Sequence, residues 1–502
     1  MNTSYVWWGI GIYIVISIYI AYLSKSEKQV NMEGYFLGSR KMNGFVSALS
    51  YSATTYSAFM MVGLAGLTYR GGVGALGFEI IYFMGVSLVA FFGPRFWVVG
   101  KKYGYVTPSE MLGDRYQDKK VAAIISISSC IFLIPYSAVQ LAGVGYLLEG
   151  ITNGAVSFTT GAIIATVLAI VYTYIAGIRS VMWTDSLQAL VMILSSTLVV
   201  ILLVNGLGGF NEFFGALQTT YPDSLTVPGN GYFSFATFLS LTIPWIFFSL
   251  SNPQVSQRLY MPKSLGSLRK MLLGFLIFGF IYTLVSVMWG YSAILLFPGL
   301  ENPDIATPRL LSSHLVPPVL GVIVMVSIMA AAISTIDSIL LTLSSLFARD
   351  VYSVTKKGKD EQQQLKIGKF VIPVIALLAY GFAQLQLDLI AVLSVASSAG
   401  LIVVVPAIIG AFFWKRGTAA GVITSVTVGG ILVVLLELAK FKPFGYGSGV
   451  WGLLVSVLLF ILVSYATKAP EQKATEFISY IKEELSRQRK TSKEKFQVKP
   501  NK

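Results

Sequence analysis

Thirteen separate runs of about twenty mostly apolar residues divide this chain, and no other feature restricts its folding so severely. They lie near 5–24, 44–68, 74–99, 121–148, 156–177, 183–206, 233–252, 270–297, 318–347, 367–387, 389–413, 418–439 and 448–467. A run of that length spans the hydrocarbon core of a bilayer as a helix, because lipid offers the backbone amides no other partner. The expectation is an all-α polytopic membrane protein with about 13 transmembrane helices, in the cell membrane. Composition agrees: charged residues make up 12%, where soluble domains carry about 25%. The first run has neither a basic leader nor a small-residue cleavage site, so it reads as a retained helix.

An odd number of spans puts the termini on opposite sides, so the loop charges test the topology as a set. With the N-terminus outside and the C-terminus inside, only Arg70, Arg309, Lys440 and Lys442 of the 37 Lys and Arg fall on the outer side. In this reading Arg258 belongs to an inner loop with Lys263, Arg269 and Lys270. The net charge of +14 is then a topology signal with some attraction to anionic headgroups, and nucleic acid is not an expected partner. The domain plan is a transporter-sized membrane domain over 1–467 and a basic cytoplasmic tail over 468–502, with no soluble domain. Phe477, Ile478, Ile481 and Leu485 in that tail recur at helical spacing, fitting either a short surface helix or a solvated end.

Catalytic chemistry finds little material. There is one Cys (Cys130) and one His (His314), too few for a disulfide or a Cys/His metal cluster. Walker, nucleophile-elbow and HExxH motifs are absent from the sequence. The expectation is a protein that is not an enzyme, has no cofactor and no obligate protein partner.

Polar residues inside apolar runs are mostly packing serines that bond to their own helix, as expected for Ser126, Ser128, Ser129, Ser195 and Ser196. Three places depart from that background. In SIMAAAISTIDSILLT (327–342), Ala331, Ser334, Thr335 and Ser338 share a helical face, and Asp337 borders it. Such hydroxyl pairs and nearby carbonyls suit a hard cation such as sodium. SYSATTYSAFMMVGLAG (50–66) is too hydroxyl-rich for a lipid-facing helix and reads as locally unwound. IPWIFFSLSNPQ (243–254) contains Pro244 and Pro253, both of which remove helix hydrogen bonds.

The second and seventh runs, both interrupted, are five spans apart and so run in opposite directions. That spacing fits two inverted five-helix repeats, about 44–206 and 233–414, flanked by one N-terminal and two C-terminal helices. Transporters place substrate and ions at such paired breaks.

Over nearly its whole length the chain resembles the sodium:solute symporter family, with its leucine-transporter-like inverted-repeat fold. The resemblance rests on YFLGSRKMNG (35–44), YTYIAGIRSVMWTDSLQ (172–188), NPQVSQRLY (252–260), AAISTIDSILL (331–341) with RD at 349–350, and FFWKRGTAAGVITS (412–425). It implies a sodium site at the backbone of Ala53, Tyr56 and Ala331 and the hydroxyls of Ser334 and Thr335. It associates Asp185 with sodium release and, in some members, with a second cation site. Here that site would comprise Asp185, Ser334, Asp337 and Ser338, for a second sodium or a proton.

For the substrate, the resemblance points to Thr55, Phe59, Tyr136, Gln140, Trp245 and Ser249. Proline-transporting relatives carry an acid where Thr55 stands and an aromatic where Ser249 stands. Sugar-transporting relatives carry polar groups at Phe59 and Met60. The expected solute is a small carboxylate: a monocarboxylate, a small amino acid such as proline, or pantothenate. Glu79, in the third run, has no assignment and is placed toward the outer mouth. The expected activity is sodium-coupled import by alternating access, with solute, sodium ion and lipid bilayer as partners. A proton-coupled carrier of the same fold is the alternative, and a transporter-like sensor ranks below it.

Overall fold

The computed structural model describes residues 3–24, 31–354, 360–386 and 390–497. Its regular elements are all helical, and its one isolated β-bridge joins Met42 to Pro262. The helices that matter below are α1 (Thr3–Ser24), α2 (Gly44–Thr55), α3 (Ala65–Gly71), α4 (Gly74–Tyr103), α5 (Lys119–Ile151) and α6 (Phe158–Gly206). They continue with α7 (Phe235–Ser251), α8 (Leu265–Leu296), α9 (Pro318–Leu346), α10 (Glu361–Ala383), α11 (Ile390–Leu401) and α12 (Val405–Phe413). The chain closes with α13 (Ala419–Leu438), α14 (Ser448–Ala466) and α15 (Glu471–Gln497).

Among the described residues, eleven helices are long and apolar enough to cross a bilayer by length and composition. The two remaining apolar runs differ for physical reasons. The run at 44–68 is split: α2 ends at Thr55, Tyr56 leaves helical geometry (φ −95, ψ 68), and a π-helical turn at Phe59–Leu64 leads into α3. The run at 156–177 joins the next one in the continuous helical stretch α6, whose 49 residues are far more than one crossing needs. Thr173 and Asp185 on α6 both bond to α9, to Asp337 and Ser334, one turn apart.

Burial separates core from rim. The most apolar window is 78% buried within the protein for both Pro318–Val354 and the 390–413 stretch, against 22% for α1 and 28% for α14. Helix α9 is thus surrounded by protein, which is what its hydroxyls and carboxylate require. Small residues allow the close approaches. A Cβ on Gly143 of α5 would stand 2.9 Å from the Ala58 Cβ, and one on Gly279 of α8 would overlap the Tyr56 ring at the break.

The filler serines behave as expected in part. Ser129, Ser195 and Ser196 donate to carbonyls one turn back on their own helices. Ser126 instead donates to the Asp350 carboxylate at 2.9 Å, beside Thr107 at 2.7 Å, so it fixes α5 to the Phe347–Val351 turn that follows α9. In the seventh run Pro244 stays inside α7, and the interruption falls at Asn252 (φ −76, ψ 114), whose side chain caps Pro253–Ser256. The tail forms a helix, α15, which buries Ala474, Phe477, Ile478 and Ile481.

Candidate functional site

The end of α2 faces the middle of α9. The last carbonyls of a helix have no partner within it, and at α2 the final backbone bond runs from Tyr56 N to Ser52 O at 2.7 Å. The carbonyls from Ala53 onward are thereby released toward α9. There the Thr335 hydroxyl lies 2.9 Å from Ala331 O, 3.3 Å from Thr54 O and 3.5 Å from Ala53 O. Four oxygens from two helices thus converge in a site whose residues are almost fully buried. Three of the predicted sodium ligands, Ala53, Ala331 and Thr335, are brought together, and Tyr56 is the residue at which the helix breaks.

The predicted second cation set divides. Asp185 is completely buried, and its Oδ2 accepts from Ser50 Oγ at 2.6 Å while its Oδ1 accepts from Ser334. The same Oδ2 faces Arg258 Nη2 at 3.4 Å. Arg258 also donates to Ser50, Thr54 and Ser338, so its guanidinium stands among the groups expected to hold a metal cation. Arg258 is 2% exposed, which corrects its placement in an inner loop. The chain after the Asn252 break runs through Pro253–Ser256 and Gln257–Tyr260, whose residues are all buried, and this carries the arginine inside. A buried carboxylate needs such a partner, because desolvating an unpaired charge costs several kcal/mol.

Asp337 lies on the other face of α9. Its Oδ1 accepts from Thr173 Oγ1 at 3.0 Å, and it borders a cavity of about 20 Å³ with Tyr13, Ser17, Tyr172, Gln188 and Ser334. That space suits a single water-sized guest. Tyr172 Oη and Gln188 Oε1 are buried there without a hydrogen-bond partner. Ser334 touches both regions, donating to Asp185 while lining the Asp337 cavity.

The predicted substrate residues surround an aromatic cluster between the α2 break, α4, α5 and α7. Trp245 is the hub, with ring centroids 4.8 Å from Phe59 and 4.7 Å from Phe248; Phe248 in turn lies 5.4 Å from Tyr136. Phe78 and Tyr82 complete it, each 5.5 Å from Trp245. Ser249 is engaged with Tyr82 Oη at 2.7 Å, whereas Thr55 donates to Tyr51 O at 2.8 Å, back within its own helix. Gln140 is fully buried, and neither of its amide atoms has a partner.

Glu79 belongs to this cluster and not to the outer mouth. Its Oε2 accepts from Trp245 Nε1 at 3.1 Å, while its buried Oε1 has no partner. Sequence reasoning left Glu79 without a role and missed Phe78, Tyr82 and Phe248. The signal for the first was available: it is the one carboxylate in an otherwise apolar run.

Comparison with known proteins gives a consistent result. The model of the sodium:solute symporter family matches residues 35–429. The sodium/pantothenate symporter of Escherichia coli (strain K12) is 28% identical over 470 residues, covering 91% of this chain and 95% of that protein. A sodium/proline symporter of Staphylococcus aureus (strain NCTC 8325 / PS 47) is 28% identical over 484 residues, covering 92% of each. Among solved structures, a sodium-coupled sialic acid symporter in a substrate-bound outward-open state aligns over 94% of this chain and 99% of its own. The TM-score is 0.77 at 20% identity, which places the two chains in one fold.

Proposed function

The chain belongs to the sodium:solute symporter family, and from that premise we propose that it imports a small carboxylate-bearing solute driven by sodium. Thirteen spans in two inverted five-helix repeats, about 44–206 and 233–414, carry this activity. The N-terminus faces out, and the tail 468–502 faces the cytoplasm. The paired interruptions at Tyr56 and Asn252 support the repeat, since each opens the first helix of one half.

The observation that carries the sodium assignment is the convergence of Thr335 Oγ1 with the carbonyls of Ala53, Thr54 and Ala331 at the α2 break. A sodium ion there takes the carbonyls of Ala53, Tyr56 and Ala331 with the hydroxyls of Ser334 and Thr335. Ser334 Oγ donates to Asp185 and keeps its lone pairs for the ion, so the ion and the contact between α9 and α6 share one hydroxyl. A ligand shifts a conformational equilibrium only through contacts that differ between the states, and this shared hydroxyl links ion occupancy to the packing beside Tyr56.

For the solute, Phe59, Trp245, Phe248 and Tyr136 offer apolar faces, while Glu79 Oε1 and the Gln140 amide are buried groups with bonds still to make. A buried polar atom left unsatisfied costs about 1–3 kcal/mol, so the solute that satisfies them is selected. Glu79 requires a donor. Amino acids and pantothenate bring N–H or O–H groups, whereas a bare monocarboxylate brings none. The second reading, a proton or a second cation at Asp337, is favoured by the water-sized cavity at that carboxylate.

The test is a thermal-shift screen of the purified protein in sodium against choline buffer, with pantothenate, proline, other small amino acids, monocarboxylates and sugars. Stabilisation by one donor-bearing carboxylate, enhanced by sodium, is expected. Equal solute responses in choline at low pH would support the proton-driven carrier instead.

A further inference from the structure

A second built cavity lies far from the transport site. A groove of about 610 Å³ runs between the inner part of α4, the first turns of α8 and the tail helix α15. Three arginines line it, one from each helix: Arg95, Arg269 and Arg489. Its lining includes no carboxylate, and none of the three forms an ion pair among the described residues. Arg95 and Arg489 repel one another across it. Arg95 is nevertheless held in place: its guanidinium lies 3.9 Å from the Phe91 ring centroid and 5.0 Å from that of Phe413. An ordered arginine beside two other uncompensated arginines is a site shaped for an anion.

The rest of the groove determines which anion. Apart from Ser264 and Gln488 its remaining wall is apolar, and the apolar surface continues outward along α8 through Leu273, Ile277 and Phe280, which are 61%, 64% and 57% exposed on one helical face. A ligand that satisfies both ends has a phosphate at the arginines and acyl chains along α8. We propose that this groove binds an anionic phospholipid, and that the lipid headgroup ties the tail helix to α4 and α8. Leu485, one turn past Ile481, extends the buried stripe of α15 to the groove. An adjoining cavity shares Ser264 and Gly266 and adds Lys263 and Lys270, extending the basic rim. The inference does not depend on the transport reading.

Native mass spectrometry of the full chain tests it, after exchange into nanodiscs of phosphatidylcholine alone or with one third phosphatidylglycerol. One retained phosphatidylglycerol per chain is expected, with occupancy falling at least about tenfold in the R95Q/R269Q/R489Q variant and kept in R95K/R269K/R489K. The single Arg489→Gln variant, on the exposed tail, serves if the triple variant does not fold. Phosphatidylglycerol should also slow tryptic cleavage at Arg487–Lys490 compared with phosphatidylcholine. Equal retention of the two lipids, or retention unchanged in the glutamine variants, would overturn the proposal. Displacement of the lipid by millimolar inorganic phosphate would also overturn it, by making the site one for free anions.

Discussion

At the scale of single residues, the site is governed by what a carboxylate or hydroxyl demands in an apolar medium. Thr335→Ala deletes one hydroxyl from the proposed cation shell. Hydrogen bonds to charged groups contribute about 1.5–3 kcal/mol, so the sodium concentration for half-maximal thermal stabilisation should rise roughly 10- to 100-fold. An unchanged midpoint would remove Thr335 from the site. Arg258→Gln leaves Asp185 buried without its partner, a change worth about 3–5 kcal/mol of stability. Pairing it with Asp185→Asn should restore part of the loss in thermal unfolding; an unrestored double variant would mean that the arginine acts through other contacts. The hydroxyl pair and Asp337 were legible in the sequence because polar atoms in an apolar run need a reason, and Asp185 was legible through the resemblance of its WTD stretch. Arg258 was not, because only four residues separate it from Lys263 and nothing in that spacing says that one is buried and the other exposed.

At the scale of elements, the breaks matter more than the helices. Both interruptions were expected, but the second proved to lie at Asn252–Pro253, with Pro244 inside α7. Proline content marks where a hydrogen bond is missing; it does not say whether the neighbouring chain tolerates the loss. Charge and polarity set two apolar runs apart in the sequence, although helical geometry persists between them in α6. Gly279→Ala should push the Tyr56 ring off α8 and disturb the α2 break, at about 1–3 kcal/mol for overpacking. Its signature would be a weakened sodium response out of proportion to any drop in thermal stability. The tail helix makes a contrasting case: its stripe of Phe477, Ile478, Ile481 and Leu485 was visible as periodicity, but its docking surface was not. Phe477 stacks with Tyr103 at 6.1 Å, and Lys473 pairs with Asp114 at 2.8 Å. Phe477→Ala should accelerate proteolysis of α15 while leaving the sodium midpoint unchanged, and a shifted midpoint would show that the tail communicates with the site.

At the scale of the whole molecule, sidedness is the quantity to measure. Single cysteines introduced at Lys442 and Lys415 in a Cys130→Ser background should react with an impermeant maleimide from opposite faces of the membrane, the first from outside. The reverse labelling would invert the proposed topology. The pairing of Arg258 with Asp185 also has an electrical consequence. Two opposite charges held together present no net charge to the membrane potential, which otherwise contributes about 2.3 kcal/mol per elementary charge for each 100 mV. A solute without net charge lets one positive charge cross for each sodium taken up, whereas an anion cancels one charge in every cycle. Steady-state current in a voltage-clamped membrane, divided by the sodium uptake measured beside it, thus reads the solute's own charge before its structure is known.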